Sequence, residues 1–198
     1  MDKLYRENVL HAQGFEYVCG VDEVGRGPLA GPVVCAAVIM PPDDLIEGVD
    51  DSKKLAPSRR RELAEKIKQK AVAWAICRVE PQVIDRINIL QATRLCMKNA
   101  VESLKIPPDF VLTDGNMTLD ICVPQESIIK GDASCYCIGA ASVIAKVERD
   151  ALMAEYAAVY PGYGFEKNAG YGTAAHIDAI RRLGLTPIHR RSFTKKWQ

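Results

Sequence analysis

The sequence lacks the features of a membrane protein or of a secreted one. No apolar run among the 198 residues is long enough to cross a membrane, and the longest, at 33–40, has the length of a single strand. The first residues, 1–7, are rich in charge and contain no apolar core of the kind that a signal peptide needs. These absences predict a cytoplasmic protein with no membrane partner.

Cysteine and histidine are present, but not in the spacings of a metal site. The seven cysteines include no CxxC pair, and the three histidines stand far apart in the chain. A structural zinc site needs four closely grouped sulfur or nitrogen ligands, so this class of site is excluded. We expect the thiols to be reduced and mostly buried, including those of the one close pair, Cys135 and Cys137.

Acidic residues are absent from residue 181 onward. This end of the chain instead carries six basic residues: Arg181, Arg182, Arg190, Arg191, Lys195 and Lys196. The formal net charge of the whole chain is only +1, which excludes a uniformly basic coat for nucleic acid. A basic end together with an acidic pocket elsewhere would suit a metal-dependent nuclease, although a solvated charged tail would give the same composition.

The remaining composition and pattern indicate an α/β protein. Hydrophobic residues make up 48% of the chain and charged residues 26%, which favours one globular domain over a disordered chain. Apolar runs and turn signals predict strands at 16–22, 31–40, 71–79, 110–114 and 126–130. They predict helices at 59–70 with Ser58 as N-cap, from Asn88 to about Leu104, from 133 into the 150s, and at about 173–183. This order predicts a mixed sheet flanked by helices.

Four carboxylates fall at predicted strand ends or helix starts: Asp22, Glu23, Asp114 and Asp132. Ligands of open α/β sheets bind outside the carboxyl ends of strands, so separate segments could bring these side chains together. Mg²⁺ and Mn²⁺ prefer oxygen ligands, and two such ions roughly 4 Å apart can promote phosphodiester hydrolysis. Taken singly, however, Asp132 could be a helix cap and Asp114 a turn residue. These residues alone therefore indicate a metal-dependent enzyme with an unknown substrate.

Residues 21–33, Val-Asp-Glu-Val-Gly-Arg-Gly-Pro-Leu-Ala-Gly-Pro-Val, resemble the signature of the ribonuclease HII family, which begins DEAGRGPLAGPV. Further blocks similar to the family follow in family order at 51–55, 88–93, 114–116, 130–132, 140–150, 170–173 and 189–193. A single glycine motif would be weak evidence, but this series covers nearly the whole chain.

The resemblance implies a ribonuclease H-like fold: a mixed five-stranded sheet flanked by helices, with a helical C-terminal extension. We expect a catalytic domain at 1–160 and the extension at 161–198. It also implies a monomeric endonuclease that uses two Mg²⁺ or Mn²⁺ ions on the RNA strand of RNA–DNA hybrids. Such an enzyme would also act in ribonucleotide excision repair, incising duplex DNA 5′ of a single ribonucleotide and leaving a 3′-hydroxyl and a 5′-phosphate.

The same resemblance assigns roles to individual residues. Asp22, Glu23, Asp114 and Asp132 correspond to the metal-binding and catalytic carboxylates. The turn Gly25-Arg26-Gly27 corresponds to the element that contacts the ribose 2′-hydroxyl and a phosphate, and Tyr171 to the tyrosine beside that ribose. Candidate phosphate contacts are Lys53, Lys54, Arg190 and Arg191, for which solvated surface charge is the alternative.

One departure from the family pattern precedes Tyr171. Many relatives carry a His-Lys pair where this chain has Asn168-Ala169, which puts one phosphate contact there in doubt. Two alternatives to the main interpretation stay open. The first is a ribonuclease HIII-like enzyme, which usually has an extra N-terminal domain and lacks the arginine of the glycine turn. The second is a catalytically silent module that only binds RNA–DNA hybrids.

Overall fold

The computed structural model describes residues 3–49 and 56–197, so Lys53 and Lys54 lie outside the described residues. The strands are β1 (Val18–Val24), β2 (Val33–Ile39), β3 (Ala73–Val79), β4 (Phe110–Asp114) and β5 (Gln125–Ile128). The longer helices are α1 (Tyr5–Ala12), α2 (Pro57–Lys70), α3 (Pro81–Glu102), α5 (Tyr136–Val159) and α7 (Ala174–Leu183). Three short helices are α4 (Gly131–Ser134), α6 (Phe165–Asn168) and α8 (Arg191–Thr194).

The five strands form one mixed sheet in the order β3-β2-β1-β4-β5. β1 pairs antiparallel with β2, and β2 with β3, while β4 is parallel to β1 and β5 parallel to β4. β1 is therefore the central strand, which explains why its sequence is an apolar run without alternation. The mixed five-stranded sheet predicted from the sequence is confirmed.

Helices cover both faces of this sheet, and β2 shows how its residues divide between them. Cys35 and Ala37 join the core that includes Met97 of α3, whereas Ala36 and Val38 join the core that includes Leu63 of α2. Successive side chains of a strand point to opposite faces, so a strand buried on both sides must be apolar throughout. The second core also contains Ala140, Ala141 and Ala145 of α5, whose small side chains let that helix lie close to the sheet.

The helix predictions need two corrections, each with a local cause. Ser58 is not the N-cap of α2, because the helix begins at Pro57, whose fixed φ suits a first turn. The helix predicted from 133 is broken at Cys135, which is extended and separates α4 from α5. Asn88 has φ 67° inside α3, and its side-chain oxygen accepts from the backbone N–H groups of Leu90 and Gln91. Asn88 thus caps the second half of α3 as predicted, although α3 begins earlier, at Pro81.

The segment after α5 packs on the rest of the chain through a separate apolar cluster. Tyr163, Phe165 and Ile180 of this segment belong to the same buried cluster as Leu29 and Met153. The division at residue 160 stays a prediction. All seven cysteines are free thiols, and five of them are buried. Over residues 3–49 and 56–197, no helix is both long and apolar enough to cross a membrane.

Candidate active site

The pairing of β1 with β4 brings two carboxylates from distant parts of the chain together. In the parallel register Val21 lies opposite Thr113, so the next residues, Asp22 and Asp114, are also neighbours. Carboxylate oxygens of Asp22, Glu23 and Asp114 lie within 4.8 Å of one another. Asp22 and Glu23 stand inside β1, two residues and one residue before its observed end, because the pairing with β2 continues to Val24.

Asp132, the fourth predicted carboxylate, lies on α4 beside this group. Among the described residues, the compact group consists of the other three carboxylates and does not include Asp132. The neighbouring Gly131 donates its backbone N–H to Oδ1 of Asp114 at 2.7 Å, and Asp132 itself is buried. The structure therefore brings Asp22, Glu23 and Asp114 together. The fourth carboxylate, Asp132, directly follows the residue that hydrogen-bonds to Asp114.

The carboxylates are held at high electrostatic cost. Burial, followed by the charges of Glu23 and Asp114, raises the pKa of Asp22 well above its usual range. Hydrogen bonds from Ser142 and from the backbone N–H of Glu23, the latter at 2.7 Å, oppose this rise. Burial also raises the pKa of Glu23 to about 7, and the charge of Arg26 opposes that change. The group is thus short of positive charge.

A divalent cation fits this group of side chains. Oε2 of Glu23 is buried and has no hydrogen-bond partner, which is costly unless a ligand is bound there. The donors are carboxylate oxygens, the ligands that Mg²⁺ and Mn²⁺ prefer. A dication would also offset the mutual repulsion that raises these pKa values. The residues that could hold it are Asp22, Glu23 and Asp114, with Asp132 adjacent.

The turn after β1 leads from the carboxylates to Tyr171. Gly25 has φ +96°, and a Cβ on it would lie closer than 3.0 Å to the side chain of Arg149, so only glycine fits. Nη1 of Arg26 lies 3.5 Å from Oε1 of Glu23, and its side chain is partly exposed. A Cβ on Gly27 would be 3.5 Å from the Tyr171 ring, which is itself exposed. Arg26, Gly27 and Tyr171 therefore form one surface next to the carboxylates.

Arg190 does not lie where a phosphate contact is expected. Its side chain is fully buried, and its guanidinium donates to the backbone carbonyls of Gly25, Arg26 and Gly31 at 2.5–2.9 Å. The direct phosphate contact predicted for Arg190 does not fit this burial. Arg191 is exposed at the start of α8, where its backbone N–H donates to Asp85 at 2.8 Å.

Asn168 and Ala169, the departure from the family pattern, shape the loop before Tyr171. The Asn168 side chain accepts from the N–H of Gly170 at 2.8 Å and donates to the carbonyl of Tyr163 at 2.7 Å. Ala169 has φ 47° and its carbonyl accepts from Arg149 at 2.9 Å. In this chain Asn168 and Ala169 therefore stabilise the conformation of the loop, whereas a His-Lys pair at these positions would supply positive charge.

Sequence reasoning missed two residues that support the site. Ser142 on α5 hydrogen-bonds to Asp22, and fully buried Arg149 donates to the carbonyls of Ala30, Pro32 and Ala169. Both lie in the block 140–150, which matched the family pattern. Ser142 carried a signal, as a polar residue in an apolar, alanine-rich stretch, whereas Arg149 stands between Glu148 and Asp150 and carried none.

Two buried histidines connect the end of the chain with the loop of Tyr171. The N–H of Thr186 donates to Nδ1 of His189 at 2.9 Å, so the proton of His189 is on Nε2. Nε2 of His189 lies 3.1 Å from Nε2 of His176, whose Nδ1 donates to the carbonyl of Tyr171 at 2.8 Å. This chain of bonds requires both rings to be neutral, because protonation would set two N–H groups against each other.

We expect acid to weaken this region. Burial, and then the neighbouring His176, lower the pKa of His189 from 6.5 to about 4. Between these values the unfolded chain binds a proton that the folded chain does not, so the free energy of unfolding falls as the pH falls from 6.5 to about 4. NMR titration of the ring measures the pKa directly. The variant His189→Gln should lose this part of the pH dependence; an equal slope in both proteins would contradict the expectation.

Comparisons with known proteins agree on one family. The sequence model of a family described as Ribonuclease HII matches residues 19–196. Ribonuclease HII of Chlorobium luteolum is 57% identical over 185 residues, which is 90% of this chain and 89% of that protein.

Solved structures have the same fold. Ribonuclease H2 of Pyrococcus horikoshii superposes with a TM-score of 0.77 at 27% identity, over 91% of this chain and 96% of that one. Bst-RNase HIII, solved in complex with Mn²⁺, superposes with a TM-score of 0.68 at 20% identity, over 94% of this chain and 70% of that one. The ribonuclease H-like fold predicted from the sequence is thereby confirmed.

Proposed function

Since the chain belongs to the ribonuclease HII family, endonucleases that degrade the RNA of RNA–DNA hybrids, we propose that it also incises duplex DNA 5′ of a single ribonucleotide. The products would be a 3′-hydroxyl and a 5′-phosphate. The observation that supports cutting at one ribonucleotide is the contiguity of the acidic group with Arg26, Gly27 and Tyr171. One nucleotide could contact all of these elements at once.

Asp22, Glu23, Asp114 and Asp132 are the proposed ligands of Mg²⁺ or Mn²⁺, with two ions present during catalysis. When bound, such ions supply a water of lowered pKa and neutralise charge on the phosphate and the leaving oxygen. The protein's own part is to hold the oxygens in place. Ser142 and the N–H of Glu23 fix the carboxylate of Asp22, and the N–H of Gly131 fixes that of Asp114.

The turn Gly25-Arg26-Gly27 and Tyr171 are proposed to recognise the ribose. A turn flanked by glycines lets backbone groups approach a sugar closely, and the 2′-hydroxyl is the group by which a protein distinguishes RNA from DNA. The Arg26 guanidinium can bridge phosphate oxygens, and the Tyr171 ring can pack against a sugar without reading a base. Recognition of this kind is independent of sequence.

The outer contacts of the substrate are proposed to be basic side chains, namely Lys53, Lys54 and Arg191. We also propose that the protein acts as a monomer in the cytoplasm. A catalytically silent binding module is disfavoured, because three clustered carboxylates beside a nucleic-acid surface would repel phosphates unless they served a metal ion. A ribonuclease HIII-like enzyme is disfavoured by Arg26, since that family lacks the arginine of the turn.

The test is a cleavage assay on duplex DNA that contains one ribonucleotide, with Mg²⁺, Mn²⁺ or a chelator. We expect incision with either ion and none with the chelator, and mapping of the ends should give a 3′-hydroxyl on the upstream product. An all-DNA duplex of the same sequence is the control and should stay intact. Absence of metal-dependent incision would contradict the proposal.

Tyr171→Ala should impair recognition more than metal binding. Loss of a ring that packs on a nucleotide typically removes about 1–3 kcal/mol, so we expect kcat/KM for the single-ribonucleotide duplex to fall roughly 5- to 150-fold. Mn²⁺ affinity, measured by calorimetry, should not change. Tyr5→Ala, which removes an exposed ring on α1, is the control. Equal losses of incision and of Mn²⁺ affinity in Tyr171→Ala would contradict this role.

A further inference from the structure

The segment 186–190 is hydrogen-bonded to the loop after β1, which in turn is bonded to the loop of Tyr171. The N–H of Arg190 donates to the carbonyl of Leu29 at 2.8 Å, and the N–H of Gly31 donates to that of Ile188 at 2.9 Å. The N–H of Leu29 in turn donates to the carbonyl of Gly170 at 2.8 Å. Three distant parts of the chain are thus joined by backbone bonds next to the candidate site.

The Arg190 side chain extends this junction to the glycine turn. Its planar guanidinium donates to the carbonyls of Gly25, Arg26 and Gly31, in a geometry that no other side chain can reproduce. Arg149 lies under the same loop and donates to the carbonyls of Ala30 and Pro32. Both arginines are fully buried, so their role lies inside the protein.

Holding these carbonyls inward has a consequence for the outer side of the turn. In a trans peptide unit the C=O and the following N–H point in opposite directions. With the carbonyls of Gly25 and Arg26 bonded to Arg190, the N–H groups of Arg26 and Gly27 point away from it. In the described part of the chain, neither N–H donates to another protein group. These two N–H groups are donors that an oxygen of a bound nucleotide could accept from.

The two histidines hold the Tyr171 carbonyl, as Arg190 holds the carbonyls of the glycine turn. His189 precedes Arg190 and bonds to His176, whose Nδ1 donates to the Tyr171 carbonyl. The rings pack against Tyr163 and Phe165, with centroids 5.2–6.4 Å apart, so they have little freedom to turn. The segment 186–190 therefore contacts the glycine turn through Arg190, and it is linked to Tyr171 through His189 and His176.

We propose that Arg190 and the pair His189–His176 are positioning residues for ribose recognition, which fix the glycine turn and Tyr171 relative to each other. This inference rests on the proposed function, because it concerns how that function selects a ribonucleotide. It assigns to Arg190 a role different from contact with phosphate. Two recognising residues, Gly25 and Arg26, accept directly from Arg190, and the carbonyl of a third, Tyr171, accepts from His176.

The first test is Arg190→Lys, which keeps the charge but cannot reach three carbonyls with a planar fork. Displacement of about 1 Å in a substrate-binding element can lower a rate by about 100-fold, so we expect kcat/KM on the single-ribonucleotide duplex to fall by about that factor. An all-DNA duplex, used as a competitive inhibitor, should keep its Ki, since its binding is electrostatic. Mn²⁺ affinity should also persist. Arg182→Lys, an exposed arginine paired with Asp178 on α7, is the matched control and should match the wild type.

The second test separates the bond to Tyr171 from simple packing. His176→Asn keeps a donor where Nδ1 stands, whereas His176→Phe keeps the ring and loses the donor. We expect the asparagine variant to retain most of the wild-type kcat/KM and the phenylalanine variant to lose about tenfold, an effect in the range of one hydrogen bond. A merely structural role would favour the phenylalanine variant, which preserves the packing on Phe165.

The outcomes distinguish failure of the proposed function from failure of the positioning roles alone. Wild-type protein that does not incise would overturn the proposed function and this inference with it. Active wild type, with Arg190→Lys equal to it or with Ki raised as much as KM, would overturn the inference alone. If Arg190→Lys does not fold, the His176 variants decide: activity of His176→Phe equal to or above that of His176→Asn overturns the inference, and the reverse order supports it.

Discussion

Replacing Asp114 by asparagine is expected to lower the rate of incision by at least about 1000-fold. A bound metal supplies several kcal/mol of transition-state stabilisation, and each 1.4 kcal/mol or so is a factor of ten in rate. Asp114 is the carboxylate that connects β1 with α4, because it lies beside Asp22 and accepts from the N–H of Gly131. Asparagine retains the oxygen that accepts this bond, so the fold should be preserved while the charge is lost.

The loss of charge gives Asp114→Asn a second, independent signature. Removing one of three mutually repelling carboxylates should raise the melting temperature of the metal-free protein, while calorimetry should show that Mn²⁺ binding is lost. Asp120→Asn is the matched control, because Asp120 is fully exposed and pairs with Lys98. If Asp114→Asn cleaves at the wild-type rate, or binds Mn²⁺ as tightly, the assignment of the metal site is wrong.

Replacing Gly20 by alanine is expected to destabilise the protein by about 3 kcal/mol, near the upper end for overpacking of a tight core. A Cβ on Gly20 would lie closer than 3.0 Å to backbone atoms of Cys137 and Ile138, in the first turn of α5. Backbone atoms cannot turn aside as a flexible side chain can, so α5 would have to move away from β1. For a chain of this size the melting temperature should fall by roughly 6–12 °C.

Gly14→Ala is the control for this prediction. Gly14 has φ +96°, but a Cβ there would meet nothing within 4 Å, so the substitution carries only the strain of a left-handed backbone, about 1–2 kcal/mol. Gly20 lies two residues before Asp22 on β1, so Gly20→Ala should also reduce Mn²⁺ affinity, whereas Gly14→Ala should not. Similar melting temperatures for Gly20→Ala and the wild type would show that α5 is less closely packed on β1 than the structure indicates.

The sequence was sufficient for the strands and for most helices, since their signals are local. Five apolar runs correspond to the five strands within about two residues, and Asn88 caps its helix with its side-chain oxygen as predicted. The break at Cys135 was not predictable in this way. No proline or glycine follows Asp132 until Gly139, and the break results from packing of α5 against β1 and of α4 near Asp114.

The candidate site was predictable in its residue types but not in its arrangement. Strand-end carboxylates indicated a metal site, yet only the register of β1 with β4 shows that Asp22 and Asp114 meet. The phosphate contact predicted for Arg190 does not fit its burial, because its partners are backbone carbonyls far away in sequence. Buried cations that bond to backbone carbonyls leave no charge pattern from which to recognise them.

The proposed metal ligands Asp22 and Asp114 meet only when β1 and β4 pair in the correct register, so binding of Mn²⁺ would report correct strand pairing during refolding. A slip of one residue between these strands would turn every side chain to the opposite face and separate Asp22 from Asp114. Collapsed molecules with helices in place but the strands mispaired would therefore fail to take up Mn²⁺. The amount of Mn²⁺ bound per mole of protein can be followed in time after dilution from denaturant. It would measure the fraction of molecules with natively paired strands, whereas far-ultraviolet circular dichroism measures the helix content of all molecules.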